Sequence, residues 1–312
     1  MALTLKSEKI LLTGGAGFLG RFVFDELEKQ GVKEKNIFIP RSKEYDLREK
    51  EMCAKVLKGK DIVIHLAANE GGIGYNQVNP GSLFYDNAVM GIHLMEEARK
   101  AGVKKFVTIG TICSYPKITP IPFKEKDLWN GYPEETNASH GLSKKMLLVQ
   151  EQAYRQQYGF NAIHLLQVNL YGPGDAFDPS RSHVIPALIK KIYDAKKARK
   201  AYIDVWGTGR PTREFLYVED AARGIVLATM KYNKPEPINL GSGMEISIKK
   251  LVTLICKLMD YKGGIKWDKT KPDGQPRRRL NITKAREEFE FSAKVGFEEG
   301  LKRTIEWYEQ QV

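Results

Sequence analysis

The sequence has no uninterrupted apolar run of about 18 residues, so no segment has the length of a membrane-spanning helix. Its three cysteines, Cys53, Cys113 and Cys256, fit neither a disulfide framework nor metal-ligand spacing, which points to a reducing cytoplasm and to no metal site. The stretch from Met1 to Lys9 is short and polar and does not read as a signal peptide. Internal repeats and low-complexity tracts are also missing. Acidic charge is in short supply: 50 Lys and Arg stand against 38 Asp and Glu, a net charge of +12. Most of these cations lie in Glu-interleaved, helix-like stretches such as 44–60 and 284–303, which read as solvated faces. The densest basic runs are Lys190 to Lys200 and Arg277-Arg278-Arg279. No nucleic-acid-binding module accompanies them, so neither nucleic acid nor a membrane is expected as a partner. A small ligand with two phosphates accounts better for local positive potential.

What is present is an alternation of short apolar runs and amphipathic stretches. Lys9–Thr13, Ile37–Ile39, Asp61–Leu66, Phe106–Ile109 and Asn161–Leu166 predict buried strands. Residues 18–30, 83–101 and 141–158 predict helices, stopped by Gly31, Gly102 and Gly159. This order predicts an α/β fold, a Rossmann-type doubly wound parallel sheet. Beyond residue 170, turn signals crowd at Gly172–Asp175, Gly207–Pro211 and Lys271–Gly274, between predicted helices at 184–198, 219–231 and 247–259. Short strands are expected near 202–206 and 236–240. The expected division is a dinucleotide-binding domain over 1–170 and a mainly substrate-binding lobe over 171–312, partly interleaved with the sheet.

The first strand ends in Gly14-Gly15-Ala16-Gly17-Phe18-Leu19-Gly20, directly before a predicted helix. A glycine-rich turn in that context lets the backbone approach a pyrophosphate and aims free N–H groups at it. Gly14, Gly17, Phe18, Leu19 and Gly20 are therefore candidate cofactor contacts, with Ala67 at the end of the third strand. The second strand ends in Ile39-Pro40-Arg41-Ser42-Lys43. No carboxylate stands there for an NAD ribose, and Arg41 and Lys43 suit a 2′-phosphate, so NADP is favoured over NAD. Asp46 is placed toward the adenine side.

Further on stand Thr111, Cys113 and His140-Gly141-Leu142-Ser143-Lys144. With the glycine loop and Ala67-Ala68, these make the chain resemble the extended short-chain dehydrogenase/reductase family, the NAD-dependent epimerases and dehydratases of nucleotide sugars. Gly71-Gly72-Ile73, Cys113–Lys117, Asn169–Pro173, Ser182–Leu188, Val205–Gly209, Arg213–Leu216 and Lys271–Gly274 extend the resemblance over nearly the whole chain. They resemble the subgroup that epimerises and then reduces 4-keto-6-deoxy nucleotide sugars. A dehydratase of the family would carry Thr-Asp-Glu where this chain has Thr111-Ile112-Cys113. A simple 4-epimerase stays open as an alternative.

The resemblance implies a nucleotide-diphosphate sugar as substrate and assigns roles residue by residue. Cys113 and His183 match the pair that exchanges protons beside the ketone. Thr111 matches the hydroxyl that bonds the carbonyl, and Lys144 the residue on the nicotinamide ribose. Asn87 would support that ribose or, as a buried helix residue, bond the backbone; Asn169 would orient the sugar or its diphosphate, and Arg213 would clamp the diphosphate, with Arg210 and Lys271 as weaker candidates. Trp206 would cover the base or pack the lobe. The family's catalytic tyrosine is His140 here, and Ser139 stands where the subgroup often has proline. His140 is read as a working acid, as the mark of an epimerase with weak redox, or as the mark of an inactive binding protein. Helices 83–101 and 141–158 resemble the pair that forms a homodimer interface.

Overall fold

Alternate residues of each apolar run face opposite sides of one sheet, and helices cover both sides. The computed structural model describes residues 3–271 and 273–312. Met1 and Ala2 of the polar N-terminus and Pro272 of the Lys271–Gly274 turn lie outside the described residues. The first half runs β1 (Ile10–Thr13), α1 (Phe18–Lys29), β2 (Ile37–Phe38), α2 (Lys50–Val56), β3 (Ile62–His65), α3 (Ile73–Val78), α4 (Pro80–Lys100), β4 (Lys105–Thr111), α5 (Ala138–Tyr158) and β5 (Ala162–Gln167). The second runs β6 (Asn169–Tyr171), α6 (Val184–Lys197), β7 (Tyr202–Trp206), β8 (Thr212–Arg213), β9 (Phe215–Tyr217), α7 (Val218–Lys231), β10 (Ile238–Leu240), β11 (Ile246–Ser247), α8 (Ile248–Leu258), β12 (Gly264–Asp268), α9 (Thr283–Phe289) and α10 (Phe297–Gln311).

Six strands form a parallel sheet in the order β10-β5-β4-β3-β1-β2. Chain order reverses beside β1, which opens a crevice at the carboxyl ends of β1 and β3. Ile10, Leu12, Ile64 and Val107 pack on one side with Val23 and Leu27 of α1 and Ile225 of α7. Leu11, Val63 and Phe106 pack on the other with Leu94 and Met95 of α4 and Leu147 of α5. Gly91 lets those two helices meet, since a Cβ there would run into the Leu147 side chain. A separate apolar cluster joins Ile189 and Ile192 of α6, Val205 of β7, Phe215 of β9, Leu251 and Ile255 of α8 and Leu301 of α10. Strand β10 leaves that half of the chain and pairs with β5, Ile238 opposite Leu165.

Several elements differ from the sequence expectation. The stretch 44–60 is helical only over Lys50–Val56, and 284–303 is broken between α9 and α10. Glu290 takes a left-handed φ of 58° at the break, and Gly296 precedes the next helix. Helix α4 starts at Pro80, because a first-turn proline needs no N–H partner. Helix α5 starts at Ala138, after a single tight turn whose Thr136 N–H is capped by the Glu134 carboxylate, so His140 lies inside its first turn. No helix among the described residues is long and apolar enough to cross a membrane.

Candidate active site

A cleft of about 1600 Å³ runs from the carboxyl ends of β1 and β3 to the apolar cluster of the second half. Its first flank is made of backbone. Gly14 adopts φ 69°, and a Cβ there would stand 2.8 Å from the Ala67 nitrogen. A Cβ at Gly20 would collide with the carbonyl oxygen of Gly14. Only glycine permits that approach of loop, helix and strand. No side chain among the described residues caps α1 at Gly17, so its first N–H groups remain free for an anion. This cradle fits a dinucleotide pyrophosphate. Arg41 and Ser42 line the cleft beyond β2. Asp46 also lines it, but Arg48 holds its carboxylate at 2.6 Å, and hydrogen bonds from Arg48 push its pKa down.

The second flank is made of side chains. Thr111 closes β4, and its Oγ1 accepts from the Cys113 N–H at 3.2 Å, starting the tight turn Ile112–Ser114. Ser114 Oγ donates to the Gly141 carbonyl at 2.9 Å, which ties that turn to the first turn of α5. A Cβ at Gly141 would strike the Cys113 carbonyl, so a glycine directly after His140 keeps Cys113 against this helix. His140 and Lys144 follow each other on one helix face and both line the cleft. His183 precedes α6 and faces the cleft from the other half, with Asn169 on β6 and Arg213 on β8. Trp206, at the end of β7, is 55% exposed at the far end.

Burial sets the charge states here. His140 is 8% exposed, and its Nδ1 has no hydrogen-bond partner among the described residues. Burial, then the cation of Lys144, brings its pKa down to about 4, so the imidazole is neutral at pH 7. Burial also lowers Lys144, to about 8, against the pull of Glu70. Arg213 is brought down to about 10, first by burial and then by Arg278.

The cleft brings together Gly14, Gly17, Phe18, Leu19, Gly20, Arg41, Ala67, Thr111, Cys113, His140, Lys144, Asn169, His183, Trp206 and Arg213. It does not include Lys43, Asn87 or Lys271. Lys43 is exposed. Asn87 is buried, and its amide is committed to the Asn69 N–H and to the carbonyls of Asn69 and Leu83. Lys271 stands outside, its Nζ 5.4 Å from the centre of the Trp206 ring.

Two residues were missed. Arg278, 7% exposed, donates to Cys113 Sγ at 3.4 Å and to Gln275 Oε1 at 2.6 Å. Glu214 holds this segment from behind by accepting the Leu280 N–H at 2.6 Å. The basic run Arg277-Arg278-Arg279 therefore splits, Arg278 turning into the cleft while Arg277 and Arg279 pair with Glu245. Asp175, which the sequence places only in a turn, is 8% exposed and lines the cleft. The one signal for Asp175 is its place after Gly172-Pro173-Gly174, a turn able to aim a side chain inward.

Residues 10–241 match the model of the NAD dependent epimerase/dehydratase family. A probable GDP-L-fucose synthase 1 of Oryza sativa subsp. japonica is 36% identical over 98% of this chain and 94% of its own. A crystal structure of a GDP-6-OMe-4-keto-L-xylo-heptose reductase from C. jejuni superposes with TM-score 0.92 at 25% identity, covering 100% of both chains. A GDP-L-fucose synthetase from Naegleria fowleri, bound to NADP, gives TM-score 0.87 at 28% identity, covering 100% of this chain and 96% of that one. Sheet order, cleft and sequence agree that the chain belongs to the NAD-dependent epimerase/dehydratase family.

Proposed function

We propose that the protein is a cytoplasmic, NADP-dependent epimerase/reductase of a 4-keto-6-deoxy sugar carried on GDP. The observation that carries this reading is that Thr111, Cys113, His140, Lys144 and His183 line one cleft with the glycine loop. Residues 1–170 hold the dinucleotide, and residues 171–312 mainly hold the sugar nucleotide. Arg41, rather than Lys43, meets the 2′-phosphate. Asn87 acts on the cofactor flank through the loop it pins at Asn69. Arg213 binds the diphosphate as a guanidinium fork, Asn169 orients the sugar, and Trp206, steadied by Lys271, covers the base.

When bound, the nicotinamide supplies a hydride. The Thr111 hydroxyl already accepts from Cys113, which leaves its proton free to donate to the ketone oxygen. Cys113 takes a proton from the carbon beside the ketone, and His183 returns one on the opposite face. The Lys144 cation favours the developing oxyanion. His140 stands where a phenol would give the final proton. A neutral imidazole can do this only by accepting a proton on one nitrogen as it releases one from the other. Its neutrality at pH 7 favours one second reading, an epimerase whose reductase half is slow or silent.

The exposed apolar side chains Phe84, Tyr85 and Ile92 of α4 and Met146 and Val149 of α5 support a homodimer built on these two helices.

The test is incubation with GDP-4-keto-6-deoxymannose in D₂O, with and without NADPH, beside His140→Tyr. Deuterium at C3 and C5 with NADPH oxidation supports the full reaction. Deuterium without oxidation, with oxidation gained in His140→Tyr, supports the second reading. No exchange in either protein overturns both.

A further inference from the structure

Arg278 is a cation in the cleft that the reaction above does not use, and its position is set against the thiol. Its Nη1 donates to Cys113 Sγ at 3.4 Å. Both ends of this contact are fixed. Cys113 is held by the tight turn that Thr111 starts and by the close approach of Gly141. Arg278 Nε donates to Gln275 Oε1 at 2.6 Å, and Gln275 Nε2 donates to the Lys117 carbonyl, also at 2.6 Å. Lys117 lies only four residues past Cys113, so the segment carrying the guanidinium is tied to the segment carrying the thiol. The Arg278 N–H donates to the Thr212 carbonyl at 3.3 Å, which anchors the same segment to β8.

The charge of Arg278 is only partly answered. Arginine keeps its proton when buried, and a buried cation without an anion is unfavourable. The one carboxylate paired with it among the described residues, Glu134, stands 3.8 Å away. That carboxylate is already engaged. Its Oε2 accepts from Thr136 Oγ1 at 2.6 Å and Asn137 Nδ2 at 2.7 Å, and its Oε1 accepts from the Thr136 N–H at 3.3 Å. A neutral thiol is a weak acceptor for a guanidinium, whereas a thiolate supplies the missing charge. The neighbouring Arg213 turns instead to the carbonyls of Thr212 and Asp273.

We infer that Arg278 is the positioning cation of Cys113, holding the sulfur as the thiolate that takes the proton from carbon. This rests on the functional reading above. In that step an S–H bond forms with the proton from the carbon beside the ketone, and the C–H electron pair becomes the enolate. Negative charge leaves the sulfur, and Arg278 exchanges nothing. Solvent afterwards removes the proton from the thiol and restores the ion pair.

Iodoacetamide reads the thiolate directly, since sulfur displaces iodide only when ionised. Cys53 and Cys256 are buried, which leaves Cys113 as the accessible thiol of the three. Arg278→Met keeps the length of the side chain and removes the charge. Its Cys113 alkylation, followed by peptide mass spectrometry, should slow about tenfold at pH 7 and less than about threefold at pH 9.5, where thiols ionise unaided. Gln275→Leu keeps the guanidinium but releases it, and should slow alkylation about threefold at pH 7. Arg213, Lys144, Glu134, Asp273, His140 and His183 are the other ionisable groups lining the cleft nearby, and both variants leave them in place. Circular dichroism checks that each variant is folded, and Gln275→Leu decides alone if Arg278→Met is not. Wild-type alkylation rates at pH 7 in the folded variants would overturn the assignment. In D₂O with GDP-4-keto-6-deoxymannose and no NADPH, Arg278→Met should lose about tenfold in kcat for deuterium exchange, with KM within about threefold. A raised KM at unchanged kcat would overturn the assignment in favour of a site for a substrate anion. If the unmodified protein exchanges no deuterium, the functional reading fails, and alkylation still decides the pairing of Arg278 with Cys113.

Discussion

The two flanks of the cleft are made of different materials. The flank proposed to hold the nucleotide uses backbone: a left-handed glycine, close carbonyls, and the free N–H groups of α1. The flank proposed to hold the sugar uses ionisable side chains taken out of water: Lys144, His140, Asp175 and Arg278 are each less than a tenth exposed. A backbone site fails when atoms collide and is indifferent to pH. A site of buried charges folds readily without them, is destabilised by them, and answers to pH.

The most severe test of this contrast is Gly20→Ala. The added Cβ meets the Gly14 carbonyl and the Gly15 Cα, neither of which can swing away. The expected outcome is a loss of about 3 kcal/mol in stability and roughly 100-fold weaker NADPH binding, about 2.7 kcal/mol, by denaturation and fluorescence titration. Neither loss should change between pH 6 and 9.

On the sugar flank the sign reverses. The folded pKa of Lys144, about 8, lies below its unfolded value of 10.5, so the unfolded chain binds more protons between these values. The destabilisation is therefore full below pH 8 and fades as pH rises to 10.5. Lys144→Met should abolish NADPH oxidation yet gain roughly 3 kcal/mol of stability at pH 7. Urea denaturation at pH 7 and 10.5 checks it, the gain shrinking toward zero at the higher pH.

A smaller effect is expected where the nucleotide flank does use a side chain. Arg41→Ala should weaken NADPH binding about tenfold, near 1.4 kcal/mol, and leave NADH unchanged. Lys43→Ala, off the cleft, should change NADPH affinity by less than about threefold. Isothermal titration of both variants with both dinucleotides decides this.

The same division explains what could be read in advance. The glycine loop was legible because a backbone cradle needs glycine at fixed offsets after a strand. Cys113, His140, Lys144 and His183 were singled out by the family resemblance, with His140 and Lys144 also set on one helix face by their spacing, and all four line the cleft. Asp175 and Arg278 were not, because what they do depends on burial and on distant partners. Arg278 reaches Cys113 across 165 residues of sequence. Asn87, Lys43 and Lys271 lie outside the cleft lining, because a residue's place along the chain does not fix where its side chain points. Asn87 turns to the loop at Asn69, and Lys271 to the outer face of Trp206.

The pairing of β10 with β5 has a consequence for how the protein is made. Residues 162–167 emerge from the ribosome as a mostly apolar strand, every residue of which is buried in the finished fold. Their outer edge has no occupant until residues 238–240 have been synthesised and β10 swings back across α7. Throughout that interval the nascent chain carries an open, sticky ribbon edge able to capture another strand. Chain synthesis that stalls between these two points should therefore yield aggregates, while stalling after β10 should not.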